Sequence, residues 1–319
     1  MNVLIPANSK NQEISTTVEK ARDYISNAKA SNTKRAYAAD WRNFTGWCRQ
    51  HNLPALPANP DTICLYLTQQ ASTLRVSTIQ RRLAAIGQAH QAAGHDSPAS
   101  HILVRNLMAG IRREKGVMQR GKAPLFIDDL RKMVLSLSAS IAGVQDRAIL
   151  LISFAGAFRR SELVSLDVED VVIEKEGMVI NLRRSKTDQE AQGMKKAIPF
   201  GINGATCPVL VFKEWLTVSG VANGAIFRGI DRHGTMTGKR LSGKAVALIV
   251  KRTAESVGID PAQFSGHSLR AGLATQASIN GASEFSIMSQ TGHKSASMVR
   301  RYIRDGQLFR DNPAGKVGL

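Results

Sequence analysis

Between Arg112 and Pro124 the helical periodicity of this chain stops, and no other feature of the sequence constrains the fold as much. The segment carries Arg112, Arg113, Lys115, Arg120 and Lys122 with glycines at 116 and 121, a basic and flexible composition with no apolar face to bury. In a chain of 319 residues, long enough for two cores, it predicts an N-terminal domain over 1–112, a linker over 113–124 and a C-terminal domain over 125–319. Before the break, Tyr37, Trp41, Phe44 and Cys48 recur at helical spacing behind the capping-type residues Ser31, Asn32 and Thr33. A Pro- and Asn-rich loop from Asn52 to Pro60 follows, and Asp61 can cap a helix carrying Ile63 and Leu67. Another helix starts at Ser77 or Thr78, with Ile79, Leu83 and Ile86 on one face, and stops at Gly94. A last one covers about 101–113 with Leu103, Leu107 and Ile111 inward. No strand pattern occurs here, so the N-terminal domain reads as all-α.

Beyond the break the pattern is mixed. Helices are predicted over 127–137, 145–154, 207–219, 243–257, 268–279, 283–289 and 295–305. Short strands are predicted over 171–175, 178–183 and 196–200, the first two joined by a turn at Glu176-Gly177. The fold class is therefore mostly α with a small antiparallel β-sheet, an α+β arrangement, in the C-terminal domain.

Charge narrows the partner. Lys and Arg number 43 against 25 Asp and Glu, a net charge of +18, which favours a polyanion: DNA, RNA or an anionic membrane surface. No stretch approaches the roughly 18 apolar residues of a spanning helix. The start of the chain has neither the basic nor the apolar region of a signal peptide. The expectation is a cytoplasmic, intracellular protein without a membrane partner. Cys48, Cys64 and Cys207 are far apart and odd in number, matching neither a disulfide framework nor a zinc pattern.

Strand transfer on a phosphodiester requires guanidinium forks for the nonbridging oxygens, a nucleophile for phosphorus and an acid for the leaving oxygen. A phenol suits the second task, because its phosphodiester can itself be attacked by another hydroxyl and bond energy is conserved. The C-terminal half holds such groups in order. Arg159 and Glu162 form an Arg-x-x-Glu pair, in which the carboxylate can orient the guanidinium. The neighbouring Arg160 could compete for that place, although the three-residue spacing favours Arg159. Lys186 lies between the second and third strands, with Lys195 and Lys196 as alternatives. His267 and Arg270 form a His-x-x-Arg pair after Gly266, suited to a helix start that binds phosphate. Gly292-His293 repeats the glycine turn, and Tyr302 follows nine residues after His293 among Arg300, Arg301 and Arg304. Tyr302 could be a core aromatic, and the two histidines could be zinc ligands. No third ligand stands at metal spacing, so neither metal nor cofactor is expected.

This ordered set resembles the tyrosine recombinases and phage-type integrases, sharply from about 124 to 303 and more loosely over the helical N-terminal region. The resemblance implies that Arg159 and Arg270 clamp the scissile phosphate. Lys186 would protonate the leaving 5′ oxygen, while His267 and His293 assist the phosphate and proton transfers. Glu162 would support Arg159, and Tyr302 would form a 3′-phosphotyrosine. The chain departs from many relatives at Ala271, where they carry His. A two-domain clamp on double-stranded DNA is implied, with no small-molecule substrate. So is a homotetramer on two DNA sites, each subunit passing its C-terminal segment, with Leu308 and Phe309, to a neighbour. Lys34, Arg35, Arg75, Arg81, Arg82, Arg113, Lys115, Arg120 and Lys122 are candidate DNA-backbone contacts. The alternatives are a type IB topoisomerase, which shares this chemistry, or a DNA-binding protein with an inactive site.

Overall fold

The structure, a computed structural model, describes residues 12–117, 121–183, 193–306 and 317. Its residues fall into two compact units that divide after Arg120. The first is helical throughout: α1 (Gln12–Asn27), α2 (Ser31–Gln50), α3 (Pro60–Thr73), α4 (Val76–Ala92) and α5 (Ile102–Lys115). Its core holds most of the apolar series read from the sequence, with Phe44, Cys48, Ile63, Leu67, Ile79, Ile86 and Ile111 all buried. Leu103, expected inward, is exposed, because the buried face of α5 runs through Val104, Met108 and Ile111. Tyr66 meets Phe44 edge-on at 5.0 Å between ring centroids. His90, buried in α4, accepts from the amide of Ala58 at 2.9 Å and, through Nδ1, pairs with the carbonyl of Ile86 at 2.9 Å. This bond fastens the loop before α3 to the helix.

Helix ends differ from expectation where side chains other than the obvious ones supply the caps. The α3 cap is Asn59, whose side chain accepts from the amide of Asp61 at 3.1 Å. His101 caps α5 by accepting from the amide of Leu103. No helix was anticipated over α1, whose Tyr24 and Ile25 are exposed and supply no buried stripe to read. The α5 helix also runs on into the anticipated linker. Its last turn holds Arg112, Arg113 and Lys115, cations that favour the negative end of a helix dipole, and it ends at Gly116 with φ at 68°.

The second unit contains α6 (Ile127–Leu135), α7 (Ile141–Ala155), α8 (Arg160–Ser165), β1 (Val171–Ile173), β2 (Gly177–Leu182), β3 (Met194–Pro199), α9 (Pro208–Ser219), β4 (Arg228–Ile230), β5 (Met236–Arg240), α10 (Gly243–Ser256), α11 (Ser268–Ile279), α12 (Glu284–Thr291) and α13 (Ala296–Gly306). The first three strands form an antiparallel sheet in the order β1-β2-β3, with Ile180 opposite Lys196. The β4–β5 hairpin was not anticipated from the sequence. Its strands are short and partly exposed, so they lack the apolar alternation that marks a half-buried strand. The core of this unit surrounds α7, buried continuously from Gly143 to Asp146 and from Ala148 to Phe154, with Trp215 donating to the carbonyl of Ile226 at 3.0 Å. A smaller cluster, Ala274, Ile287 and Val299, joins α11, α12 and α13.

Candidate active site

The site is assembled from four short stretches, each leaving or entering a helix. The first follows α7. Ala157 there takes φ 48°, a left-handed conformation that costs an alanine about 1–2 kcal/mol and persists where surrounding contacts fix it. Three consecutive carbonyls are captured by side chains from elsewhere in the unit. Gln290 Nε2 donates to Ala155 at 2.7 Å, Lys196 Nζ to Gly156 at 2.6 Å and Arg270 Nη1 to Ala157 at 2.8 Å. Arg159 comes next, at the N-terminus of α8. Glu162 accepts from both the Arg159 amide, at 2.9 Å, and its Nη1, at 2.5 Å. The sequence pair is thus a physical one: one buried carboxylate orients backbone and guanidinium together.

The second stretch is the start of α11. His267 stands at its N-terminal boundary and is exposed, whereas Arg270 is buried. The stem of Arg160 lies over Gly266, where a Cβ would meet its Cδ at 2.2 Å. Arg160 is itself exposed, so Arg159 is the arginine turned into the cluster. The third stretch leaves α12 through Gly292, in the left-handed region at φ 65°, and brings His293 to 3.1 Å from Arg270 Nη2. A guanidinium can only donate, so His293 Nε2 accepts. Its Nδ1 then carries the proton and donates to Thr291 Oγ1 at 2.7 Å. The fourth is α13, whose Val299, Tyr302 and Ile303 share the face packed on α11 and α12, while Arg300, Arg301 and Arg304 are exposed. This packing sets the Tyr302 hydroxyl 3.2 Å from His267 Nε2. Its ring centroid is 5.9 Å from that of His293.

Electrostatics follow from burying cations together. Burial, reinforced by Arg159, lowers Arg270 to a pKa of about 10, so it stays charged at neutral pH. Burial and the adjacent Arg270 bring His293 down to about 4, which keeps the imidazole neutral. Burial lowers Lys196 to about 7, with Glu162 opposing the shift and Arg270 and Arg159 adding to it. Among the described residues, Arg270 Nε is buried without a hydrogen-bond partner.

Arg159, Glu162, His267, Arg270, His293 and Tyr302 therefore come together. Lys186 lies outside the described residues, as do Arg120, Leu308 and Phe309. Sequence reasoning did not assign a site role to Gln290 or Thr291, and held Lys196 only as an alternative for the hairpin lysine. Lys196 did carry a signal. Two residues before the buried Ile198, it occupies an inward-facing strand position, where a lysine is anomalous.

In the first unit Lys34, Arg35, Arg75, Arg81, Arg113 and Lys115 are exposed. Arg81 makes a paired contact with Asp40 at 2.8 and 3.1 Å. Arg82 is turned inward, with Nη1 donating to Asn43 at 2.6 Å and to the hydroxyl of Tyr66 at 3.0 Å. Its guanidinium thus braces α2 against α3, and an ordinary solvated basic face is not what the structure gives it. In the second unit Lys122 is exposed and donates to the carbonyl of Ala262. Among the described residues no helix is long and apolar enough to cross a membrane, and none forms a group of three or more His, Cys, Asp or Glu suited to a metal ion.

Comparison with known proteins gives consistent results. The model of the Phage integrase family matches residues 126–307. An integrase/recombinase xerD homolog from Selenomonas ruminantium is 41% identical over 302 residues, 93% of this chain and 89% of that protein. Recombinase cre of Escherichia phage P1 is 28% identical over 284 residues, 83% of this chain and 81% of its own. Among solved structures, XerH site-specific recombinase in a post-cleavage complex with palindromic difH substrate matches with a TM-score of 0.61 at 18% identity, covering 81% of this chain and 72% of that one. A lambda integrase dimer on a COC′ core site matches with a TM-score of 0.58 at 18% identity, covering 94% and 98%. These two structural likenesses bear on the fold.

Proposed function

This chain belongs to the phage integrase family and is a site-specific tyrosine recombinase, and from that we propose the part each residue of the cluster plays in cutting and rejoining DNA. Tyr302 Oη attacks the scissile phosphorus. The P–O5′ bond breaks, and the DNA 3′ end is left joined to the phenol. His267 Nε2, against which the hydroxyl rests, takes the phenolic proton. Arg159 and Arg270 hold the nonbridging oxygens, where charge grows in the transition state. Glu162 fixes Arg159 from behind, and neutral His293 fixes Arg270. Lys186, assigned from its place in the sequence alone, gives its proton to the departing 5′ oxygen. A 5′ hydroxyl from a second strand then reverses these steps and frees Tyr302. The phosphotyrosine conserves the bond energy, so joining needs no nucleotide.

The observation that carries this reading is the Tyr302 hydroxyl lying on His267 within its own chain, beside two arginines that no apolar core would gather. Arg270 is buried with the guanidinium of Arg159 acting on it, a concentration of positive charge that a bound phosphate would offset. The net charge of +18 supports a duplex DNA partner. Lys34, Arg35, Arg75, Arg81, Arg113, Lys115, Arg120 and Lys122 are the proposed backbone contacts, with Arg82 a brace between helices. The helical unit, which extends through α5 to Lys115, and residues 125–319 act as the two arms of a DNA clamp joined by the residues between them. The working assembly is a homotetramer on two sites, passing through a Holliday junction, with the segment after α13 docked on a neighbour.

The test begins with selection of bound duplexes from a random library. A nicked version of the selected site, whose cut strand loses its 5′ hydroxyl, then traps the intermediate. Wild type should form a covalent adduct on denaturing gels. Tyr302→Phe should bind the same duplex and form none. A wild type that binds its selected site but never forms an adduct would refute these assignments.

A further inference from the structure

Lys196 sits at the junction of two arms of the site. Its side chain points inward from β3, opposite Ile180, and its ammonium stands over the ring of Phe158, 5.0 Å from the centroid. One N–H donates to the carbonyl of Gly156 at 2.6 Å, and another to the carbonyl of Gln290. Each carbonyl lies three residues ahead of a site residue, Gly156 before Arg159 and Gln290 before His293. The Gln290 side chain repeats the connection in reverse, donating to Ala155 at 2.7 Å and to Ala197 of β3 at 3.2 Å. The end of α7, the end of α12 and the middle of β3 are thus stitched at one point.

We propose that Lys196 is a positioning residue for strand cleavage, tying the arm that carries Arg159 to the arm that carries His293 and so setting the gap in which the phosphate is held. The proposal rests on the reading of this cluster as the cleavage site. An apolar side chain would fill an inward-facing strand position without the several kcal/mol that a buried ammonium loses by desolvation. Lysine at this position has a use that leucine or isoleucine lacks, because both carbonyls point into the same buried space and both need a donor. The charge is also placed where it opposes compactness. Arg159 at the start of α8 and Arg270 on α11 act against a proton on its nitrogen, Glu162 favours one, and His293 after α12 is neutral. An amine held at this cost in burial and repulsion, whose hydrogen bonds go to the two backbone carbonyls, acts on where those backbones lie.

The experiment uses the full chain with Lys196→Met, which removes every donor, and Lys196→Gln, which keeps two on a shorter stem. On the nicked duplex selected as above, at saturating protein, Lys196→Met should form adduct about 10- to 100-fold more slowly, the penalty of a small misplacement of reacting groups, while its dissociation constant stays within about threefold of wild type. Lys196→Gln should fall between them. In the DNA-free protein, amide exchange over 156–160 and 290–294 should quicken in both variants, with α9 unchanged. The proposal is overturned if Lys196→Met cleaves at the wild-type rate, if rate and affinity fall in the same proportion, or if neither segment exchanges faster. Should wild type form no adduct at all, the assignment of the cleavage site fails, and the exchange arm still decides whether Lys196 joins the two segments.

Discussion

At the scale of single residues, the site works by keeping some groups charged and one neutral. His293 is held to a pKa of about 4 against an ordinary 6.5, by burial first and by Arg270 second. The unfolded chain therefore binds a proton between those values that the folded chain does not. Stability from this residue is complete above pH 6.5 and is lost as pH falls toward 4. Melting temperature should decline from pH 7 to 4.5 more steeply for wild type than for His293→Gln, and parallel curves would contradict the neutral assignment. Ala157 is a second single-residue case. Its positive φ admits glycine readily, alanine at a cost, and a β-branched residue hardly at all. Ala157→Gly should leave stability within about 1 kcal/mol, whereas Ala157→Val should cost more than about 2 kcal/mol. Thermal unfolding of the two variants measures the difference.

Among the elements, α11 is the one whose placement everything else presumes. It carries His267 at its start and Arg270 one turn in, and it lies against the segment before α6. A Cβ on Gly272 would sit 1.9 Å from the carbonyl oxygen of Leu125, a backbone atom that cannot rotate aside. Gly272→Ala must therefore displace the helix or the segment, at about 1–3 kcal/mol, or roughly 2–12 °C in melting temperature for a unit of this size. Because Arg270 moves with the helix, adduct formation should fall more than DNA binding does. An alanine variant with native melting and native cleavage would show that this contact is not what sets α11. The α13 helix illustrates the reverse economy. Its apolar face, Val299 with Tyr302 and Ile303, packs the helix and at the same time sets the phenol 3.2 Å from His267, so packing in the small core does not compete with the proposed nucleophile role of the same side chain.

For the whole molecule, the governing quantity is the net charge of +18. Neutralising phosphates releases condensed counterions, and about 6–10 such contacts weaken binding by roughly 10³- to 10⁵-fold between 50 and 200 mM salt. Site affinity measured by fluorescence anisotropy should fall in that range. Replacing one true backbone contact, Arg75→Ala for example, should make the slope shallower by about 1. Arg82→Ala should instead lower stability, since its guanidinium bonds Asn43 and Tyr66 inside the first unit, and leave the slope nearly intact. Equal slopes for Arg75→Ala and wild type would remove Arg75 from the interface.

Much of this was legible in the chain of letters. Helical periodicity placed most helices within a few residues, because a buried stripe is written into the sequence wherever a helix has one. The pair Arg159 with Glu162 was readable because three residues is a contact distance at a helix start, and Gly292 before His293 because a left-handed turn favours glycine. His267 and Arg270 share that spacing but turn to different partners, Tyr302 and His293. The helix without a stripe and the short second hairpin were not readable, for want of any pattern to read. Nor were the long-range capping and stitching contacts: Lys196 on Gly156 and Gln290, Gln290 on Ala155, Arg270 on Ala157. Those depend on which carbonyls three distant segments bring together, and no local spacing encodes a meeting between residues 40 or 135 positions apart. The sequence by itself determined which groups could do the chemistry; only the tertiary packing decided that His293 is neutral, that Arg82 faces inward and that Tyr302 reaches His267, because burial and neighbouring charge exist only once the chain is folded.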